Sequence, residues 1–204
     1  MKQGWKLAQL SDTCTFQRGL TYSKTDEVPI SNNIVLRANN IDGVGHKLDL
    51  RDLRYISDSV TVPESKKVRQ GSLIICTASG SKSHLGKVAL IDADYGYAFG
   101  GFMGQLTPVN GISPRYLLHA MSSVAYRDFI ATLTDGVNIN NLRFDDLGRF
   151  PIPLPPLPEQ QRIVATLDEA FEAINIARTN TQSKLTALDN LNESLLHLAF
   201  SGEL

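Results

Sequence analysis

Residues 150–171 read FPIPLPPLPEQQRIVATLDEAF, a stretch that changes character halfway. Five prolines fall between Pro151 and Pro158, and none follows before Leu204. A proline fixes its own φ and donates no amide proton, so the run predicts an extended, partly polyproline joint that cannot become helix. Pro158 can open a helix, because its missing donor would have had no partner there. Glu159 and Glu169 load the early turns with negative charge, which the positive end of a helix dipole favours. From there to about Phe200 neither proline nor glycine intervenes, which predicts a helix of about 43 residues and roughly 60 Å.

The apolar pattern along that helix says what it needs. Ile163, Leu167, Ala170, Ile174, Ala177 and Thr181 follow the alternating spacing of four and three that marks a coiled-coil seam. Beyond Thr181 the register shifts, and Leu185, Leu188, Leu191, Leu195 and Leu198 make a broader stripe. A rod of that length outruns a 150-residue domain only about 35–40 Å across. Leaving its large apolar side chains wet would forgo on the order of 15–20 kcal/mol of burial. The competing arrangement, a helix folded back as a hairpin, has no turn signal inside it. The expected partner is another helix.

The chain has 204 residues, 42% of them hydrophobic and 20% charged, as expected of a soluble globular protein. No apolar run approaches the roughly 20 residues of a membrane helix, and the N-terminus lacks the pattern of a signal peptide. Cys14 and Cys76 lie far apart among apolar or hydroxyl neighbours. They read as buried thiols in a reducing cytoplasm rather than a disulfide. His46, His84, His119 and His197 have no metal-ligand spacing, so no metal site is expected. The net charge of -1 divides at the prolines: residues 1–150 carry 17 Lys and Arg against 14 Asp and Glu, and residues 151–204 carry 3 against 7. Any contact with phosphate belongs to the first part.

That first part is strand-rich and mixed α and β. Runs at Ile34–Asp42, from Gly71, from Gly86 and from Tyr97 through FGGFMGQLTPV read as strands bounded by turn residues. One helix is expected from the N-cap Ser113, with Pro114 at its first position and Leu117, Met121, Val124 and Ile130 near one face, ending by Gly136. The fold class is α+β: a globular domain over 1–150, a proline joint over 151–158 and one long helix over 159–204.

FPIPLPPLPEQQRIVATLD resembles the conserved segment of specificity subunits of type I restriction–modification systems, as does LAFSGEL at the end of the helix. Trp5-Lys-Leu, Leu10, LRANNID at Leu36–Asp42 and GVNINNLRFDDL at Gly136–Leu147 extend the resemblance across the chain. It implies a target recognition domain that binds double-stranded DNA, followed by a dimerising and spacing helix. Members of that family carry two such domains and two helices; this sequence has one of each. The resemblance therefore implies a homodimer acting with methyltransferase and restriction subunits. Those partners would hold the S-adenosylmethionine, ATP and Mg, with no cofactor in this chain.

Catalytic motifs fail on their own chemistry. GSKSHLGKV at Gly80–Val88 has five residues between its glycines and Val88 where a P-loop needs a hydroxyl for magnesium. FGGFMG at Phe99–Gly104 weakly resembles a methyltransferase glycine loop. The only Pro-Pro, in Leu154–Leu157, has no amide or carboxylate to hold an exocyclic amine. Asp92 and Asp94 are not followed by the acidic-x-Lys pair of a common nuclease centre. No catalytic residue is expected.

For reading DNA, Arg and Lys suit guanine, Asn and Gln suit adenine, and hydroxyls suit phosphate. The strongest candidate is the loop Ser79, Gly80, Ser81, Lys82, Ser83 and His84, closed by Lys87; its competing reading is a solvated hairpin turn. Arg37, Asn39 and Asn40 sit at a strand end, where asparagines also serve turns. Lys66, Lys67 and Arg69 form the densest positive cluster, equally an ordinary solvated face. Asn138 and Asn140 are candidate readers, whereas Asn141 reads as a turn or cap residue. The alternative function is a coiled-coil adaptor that binds protein and has no role on DNA.

Overall fold

The computed structural model describes residues 3–134 and 141–204. It divides into two units, Met1–Gln161 and Arg162–Leu204. In the first unit β1 (Lys6–Gln9) leads through a short α1 (Leu10–Thr13) into β2 (Cys14–Arg18). Then come β3 (Glu27–Val28), β4 (Asn33–Leu36), β5 (Arg54–Ile56), β6 (Leu73–Cys76), β7 (Val88–Leu90), β8 (Ala98–Phe99) and β9 (Met103–Pro108). Helices α2 (Pro114–Ala120), α3 (Val124–Thr134) and α4 (Phe144–Leu147) precede β10 (Pro151–Leu154) and α5 (Leu157–Ser201).

The strands make two four-stranded sheets, β2-β9-β6-β7 and β3-β5-β4-β8, and a two-stranded ribbon of β1 and β10. All pairings are antiparallel except β4 with β8. Every residue of β6, Leu-Ile-Ile-Cys, is buried, as a continuous apolar run predicts for a strand covered on both faces. Alternation on β4 and β8 sends Leu36 and Phe99 to one core, with Ile74, Ile91 and Met103. Val35 and Ala98 go to a second core, with Leu20 and Ile56. Cys14 and Cys76 are free and buried, as their neighbours predicted.

Three sequence expectations change in detail. The run from Tyr97 is two strands in different sheets rather than one, because the chain turns at Gly100, whose carbonyl accepts from Met103 N at 2.8 Å. Gly19 crosses so close to this turn that a Cβ there would lie 2.0 Å from the Gly100 oxygen. The helix expected from Ser113 is also two. Ser113 caps α2 through Tyr116 N, but Ser122 and Ser123 return their hydroxyls to Leu118 and Ala120 carbonyls, and Ser123 Oγ then accepts from Tyr126 N. After the break Tyr126 and Ile130 are buried, while Val124 is 62% exposed.

The proline joint is the third. Its first half is the strand β10, with Ile152 and Leu154 buried and Pro151 and Pro153 exposed. Proline at alternate positions of an outer strand leaves the inward residues free to pack. β10 pairs with β1 from Lys6 opposite Leu154 to Gln9 opposite Pro151, and Tyr116 donates its hydroxyl to the Pro153 carbonyl. The helix then starts at Leu157, one residue before Pro158. Gln160, 1% exposed, locks this corner. Its Oε1 accepts from Ser113 N at 2.9 Å, and its Nε2 donates to the Gly111 and Pro155 carbonyls at 3.1 and 3.0 Å.

The second unit is the remainder of α5, which spans 45 residues in all and so runs about 67 Å. It ends where Gly202 takes φ +79°, the left-handed conformation that closes many helices. Among the described residues no helix is long and apolar enough to cross a membrane.

Candidate functional site

A cleft of about 600 Å³ opens on the first unit between the 3-10 turn after β4, the loop after β6 and the turn between β8 and β9. It brings together Arg37 and Asn39 with Ser79, Ser81 and His84, candidates that lie some forty positions apart in sequence. The parallel pairing of β4 with β8, Leu36 opposite Phe99, sets the first turn beside Gly100. The loop after β6 is tied to the same place by one carbonyl. Phe102 O accepts from Thr77 N at 2.9 Å, Thr77 Oγ1 at 3.0 Å and Ala78 N at 3.1 Å.

Arg37 is held rather than loose. Its Nη2 lies 3.0 Å from Asp52 Oδ2, its side chain is 27% exposed, and its Nε is buried with no partner among the described residues. Arg54 pairs with Glu27 at 2.9 Å on the wall of the cleft. Tyr22, also lining it, has its phenol pushed above the usual range by burial and by Glu27. Burial, and then Lys87, push His84 below the usual imidazole value, so its neutral form is favoured. Ser79 Oγ accepts from Ser81 N at 3.1 Å, and Ser81 and Ser83 hydroxyls lie 2.8 Å apart. The loop after β6 is thus a hydroxyl-rich turn, with Lys82–His84 as a 3-10 segment.

Other candidates are placed differently. Asn40 is 1% exposed; its Oδ1 accepts from Arg37 N, and its Nδ2 donates to the Asp49 and Asp52 carbonyls, each at 2.8 Å. It builds the turn that presents Arg37 and Asn39, and it is not available to a ligand. Lys66 donates to the Arg18 carbonyl at 2.8 Å and Lys67 pairs with Glu64 at 2.5 Å. Lys67 and Arg69 line a separate depression that also holds Glu64 and Asp94, so that cluster is mixed in charge. The stem of Lys87 lies against Gly43, where a Cβ would come within 2.9 Å of its Cε. Asn141 makes an isolated bridge with Ala78, a structural position. Asn138 and Asn140 lie outside the described residues.

Sequence reasoning passed over Lys24, Tyr22 and Phe102. Phe102 is 73% exposed although its own backbone is fixed three times over. The signal was present in FGGFMG: two glycines before an aromatic, inside an otherwise apolar run. Asp92 and Asp94 serve structure, accepting from Tyr95 Oη and Gln70 N at 2.6 and 2.7 Å.

On α5 the candidate seam is largely uncovered. Phe171, Ile174, Leu185, Leu188, Leu191, Leu195 and Leu196 are each between 47% and 63% exposed, while Ile163, Leu167 and Leu198 are partly covered and Ala170 is exposed.

Residues 2–187 match the family described as type I restriction modification DNA specificity domain. The type I restriction enzyme StySPI specificity subunit of Salmonella potsdam is 34% identical over the whole of this chain and 44% of its own length. The EcoKI specificity subunit of Escherichia coli K12 is 32% identical with the same coverage. The chain thus spans about half the length of these curated relatives. Among solved structures, the HsdS subunit from Thermoanaerobacter tengcongensis has a TM-score of 0.68 at 21% identity, over all of this chain and 46% of that one. A chain from work on complex assembly and conformational transition of the type I R-M system reaches 0.79 at 22%, over all of this chain and 47% of that one. At such identities the likeness is one of fold.

Proposed function

The chain belongs to the type I restriction modification DNA specificity domain family, and we propose that its first unit reads one half-site of double-stranded DNA through the cleft. The observation that carries this reading is the convergence of Arg37, Asn39, Ser79, Ser81 and His84 from separate segments on one surface. Asn39 suits the N6/N7 edge of adenine and Arg37 the O6/N7 edge of guanine, each such pair worth about 1–3 kcal/mol of discrimination. The serines and the backbone of their loop suit phosphate, which positions the duplex without reading it. Arg37 must exchange Asp52 for the base, and the ion pair keeps its fork oriented until then.

The helix serves assembly and spacing. Its seam pairs with itself when two copies run antiparallel about Thr181: Ile174 then faces Leu188, and Leu167 faces Leu195. A homodimer of this kind presents the same reading surface twice in opposite orientations, so its target is two inverted half-sites around an unread spacer. About 67 Å of helix against about 34 Å per duplex turn holds the half-sites between one and two turns apart. The acidic helix spans the spacer without intimate phosphate contact. The chain itself neither methylates nor cleaves. It directs methyltransferase subunits that carry S-adenosylmethionine, and a restriction subunit that uses ATP and Mg.

The test is selection of duplexes from a random-sequence pool by the purified chain, with binding followed against salt. The expected result is an enriched inverted repeat whose affinity falls steeply as salt rises, from counterion release. Failure to enrich any duplex, with salt-insensitive association to protein instead, favours the adaptor reading and overturns this one. A sedimentation profile of folded monomer at micromolar concentration overturns the homodimer alone.

A further inference from the structure

Phe102 is a largely exposed aromatic on the first unit's cleft, yet its backbone is firmly mounted. Its carbonyl accepts three hydrogen bonds, from Thr77 N, Thr77 Oγ1 and Ala78 N. The preceding glycines are seated too. Gly100 donates to the Leu36 carbonyl at 2.9 Å, and a Cβ on Gly101 would sit 3.3 Å from Thr21 Oγ1. The ring itself is 73% exposed. A large apolar side chain held out into water by a fixed backbone forgoes burial that any inward rotamer or polar residue would have avoided. That arrangement makes sense where a partner supplies the burial.

The surroundings identify the partner. The cleft that Phe102 lines is also lined by Arg37, Asn39, Ser79, Ser81 and the exposed Lys24, and its acidic Glu27 is paired with Arg54. Cations, amides and hydroxyls fit a nucleic acid duplex. Arg and Asn are useful against the base edges of the major groove, where the one apolar feature is the 5-methyl group of thymine. Resting on the function proposed above, we infer that Phe102 is the apolar reader of the half-site, packing its ring on the 5-methyl of a thymine beside the bases read by Arg37 and Asn39. A wedge that unstacks a base step is the competing mode for an exposed phenylalanine. It belongs with minor-groove binding, where Arg and Asn also serve, and it predicts an unstacked base step rather than a dependence on the thymine methyl.

A coupling experiment tests this on the duplex enriched by the wild-type chain, with each thymine replaced in turn by deoxyuridine. The wild type should lose about three- to fivefold in affinity at one thymine of each half-site, the worth of one methyl returned to water. Phe102→Ala should bind about tenfold more weakly, melt close to the wild-type temperature because the side chain is 73% exposed, and be indifferent to the same deoxyuridine. Phe102→Leu should keep a reduced preference for thymine. Equal sensitivity of wild type and Phe102→Ala at every thymine overturns the inference while leaving DNA binding intact. So does brightening of 2-aminopurine in the site on wild-type binding without any deoxyuridine effect, which would mark a wedge. If the wild type enriches no duplex, the reading beneath fails first.

Discussion

Leu36, Ile56, Leu73, Ile74 and Ile75 in the strand-rich unit are wholly buried, whereas Ile174, Leu185, Leu188 and Leu191 on α5 stand about half exposed. The residue types are alike; what differs is whether the chain itself supplies the other side of the contact. In the first unit, strands distant in sequence cover one another, and the side-chain amides of Asn40 and Gln160 left inside are paired. Along the helix Ile174, Leu185, Leu188 and Leu191 remain about half open to water. The first unit therefore covers its own core, and on the function proposed above the second is half of an interface.

That contrast gives an ordered set of perturbations. The largest effect should come from Leu36→Ala, which opens a cavity between β4 and the Phe99 core. A loss of about 2–5 kcal/mol in urea unfolding of the strand-rich unit is expected, with helical association kept. Asn40→Ala should cost about 2–3 kcal/mol, because it strands Arg37 N and two carbonyls inside the turn. A wild-type unfolding midpoint in that variant would mean the turn is held by something else.

Alkaline pH should act next. Burial pushes the Cys14 thiol up to about 12 and the Cys76 thiol up to about 11, from an ordinary 9.0. The folded chain keeps these protons while the unfolded chain releases them. The stability they contribute is whole below pH 9 and falls as pH rises toward 11 and 12. The stability read from urea unfolding should decline by an amount on the order of 2–3 kcal/mol between about pH 8 and pH 10, and replacing both cysteines by alanine should flatten that slope. The smallest effect on folding belongs to Leu188→Asp: within about 0.5 kcal/mol for the strand-rich unit, as for an exposed position, but with dissociation seen by sedimentation. If this variant melts the first unit as well, the two regions are not independent.

Much of this was legible in residue order. Leu73–Cys76, an apolar run bounded by turn residues, is the buried strand it reads as, and the stretch after Pro158 without proline or glycine is the long helix it reads as. What escaped was decided at a distance. Asn39 and Asn40 are the same residue in the same local context, yet one lines the cleft and the other is sealed beneath it, because Asp49 and Asp52 carbonyls return from the next loop. Phe102 read as part of a strand because the turn at Gly100 is forced by the close passage of Gly19, remote in sequence. The proline joint announced stiffness correctly, but its pairing with Lys6–Gln9 required the other end of the unit.

That ribbon has a consequence for how such a unit can be exchanged. Lys6–Gln9 and Pro151–Leu154 lie side by side and antiparallel, so the chain enters and leaves the first unit through one doorway. Everything between Leu10 and Phe150 hangs from two adjacent strands closed by Leu10 N to Phe150 O at 2.9 Å. A segment joined to its frame at neighbouring points can be replaced by another of different length without moving the frame, much as domain insertions succeed where termini meet. The doorway predicts a cartridge: the residues between Leu10 and Phe150 should accept replacement while the pairing of Lys6–Gln9 with Pro151–Leu154 stays unchanged.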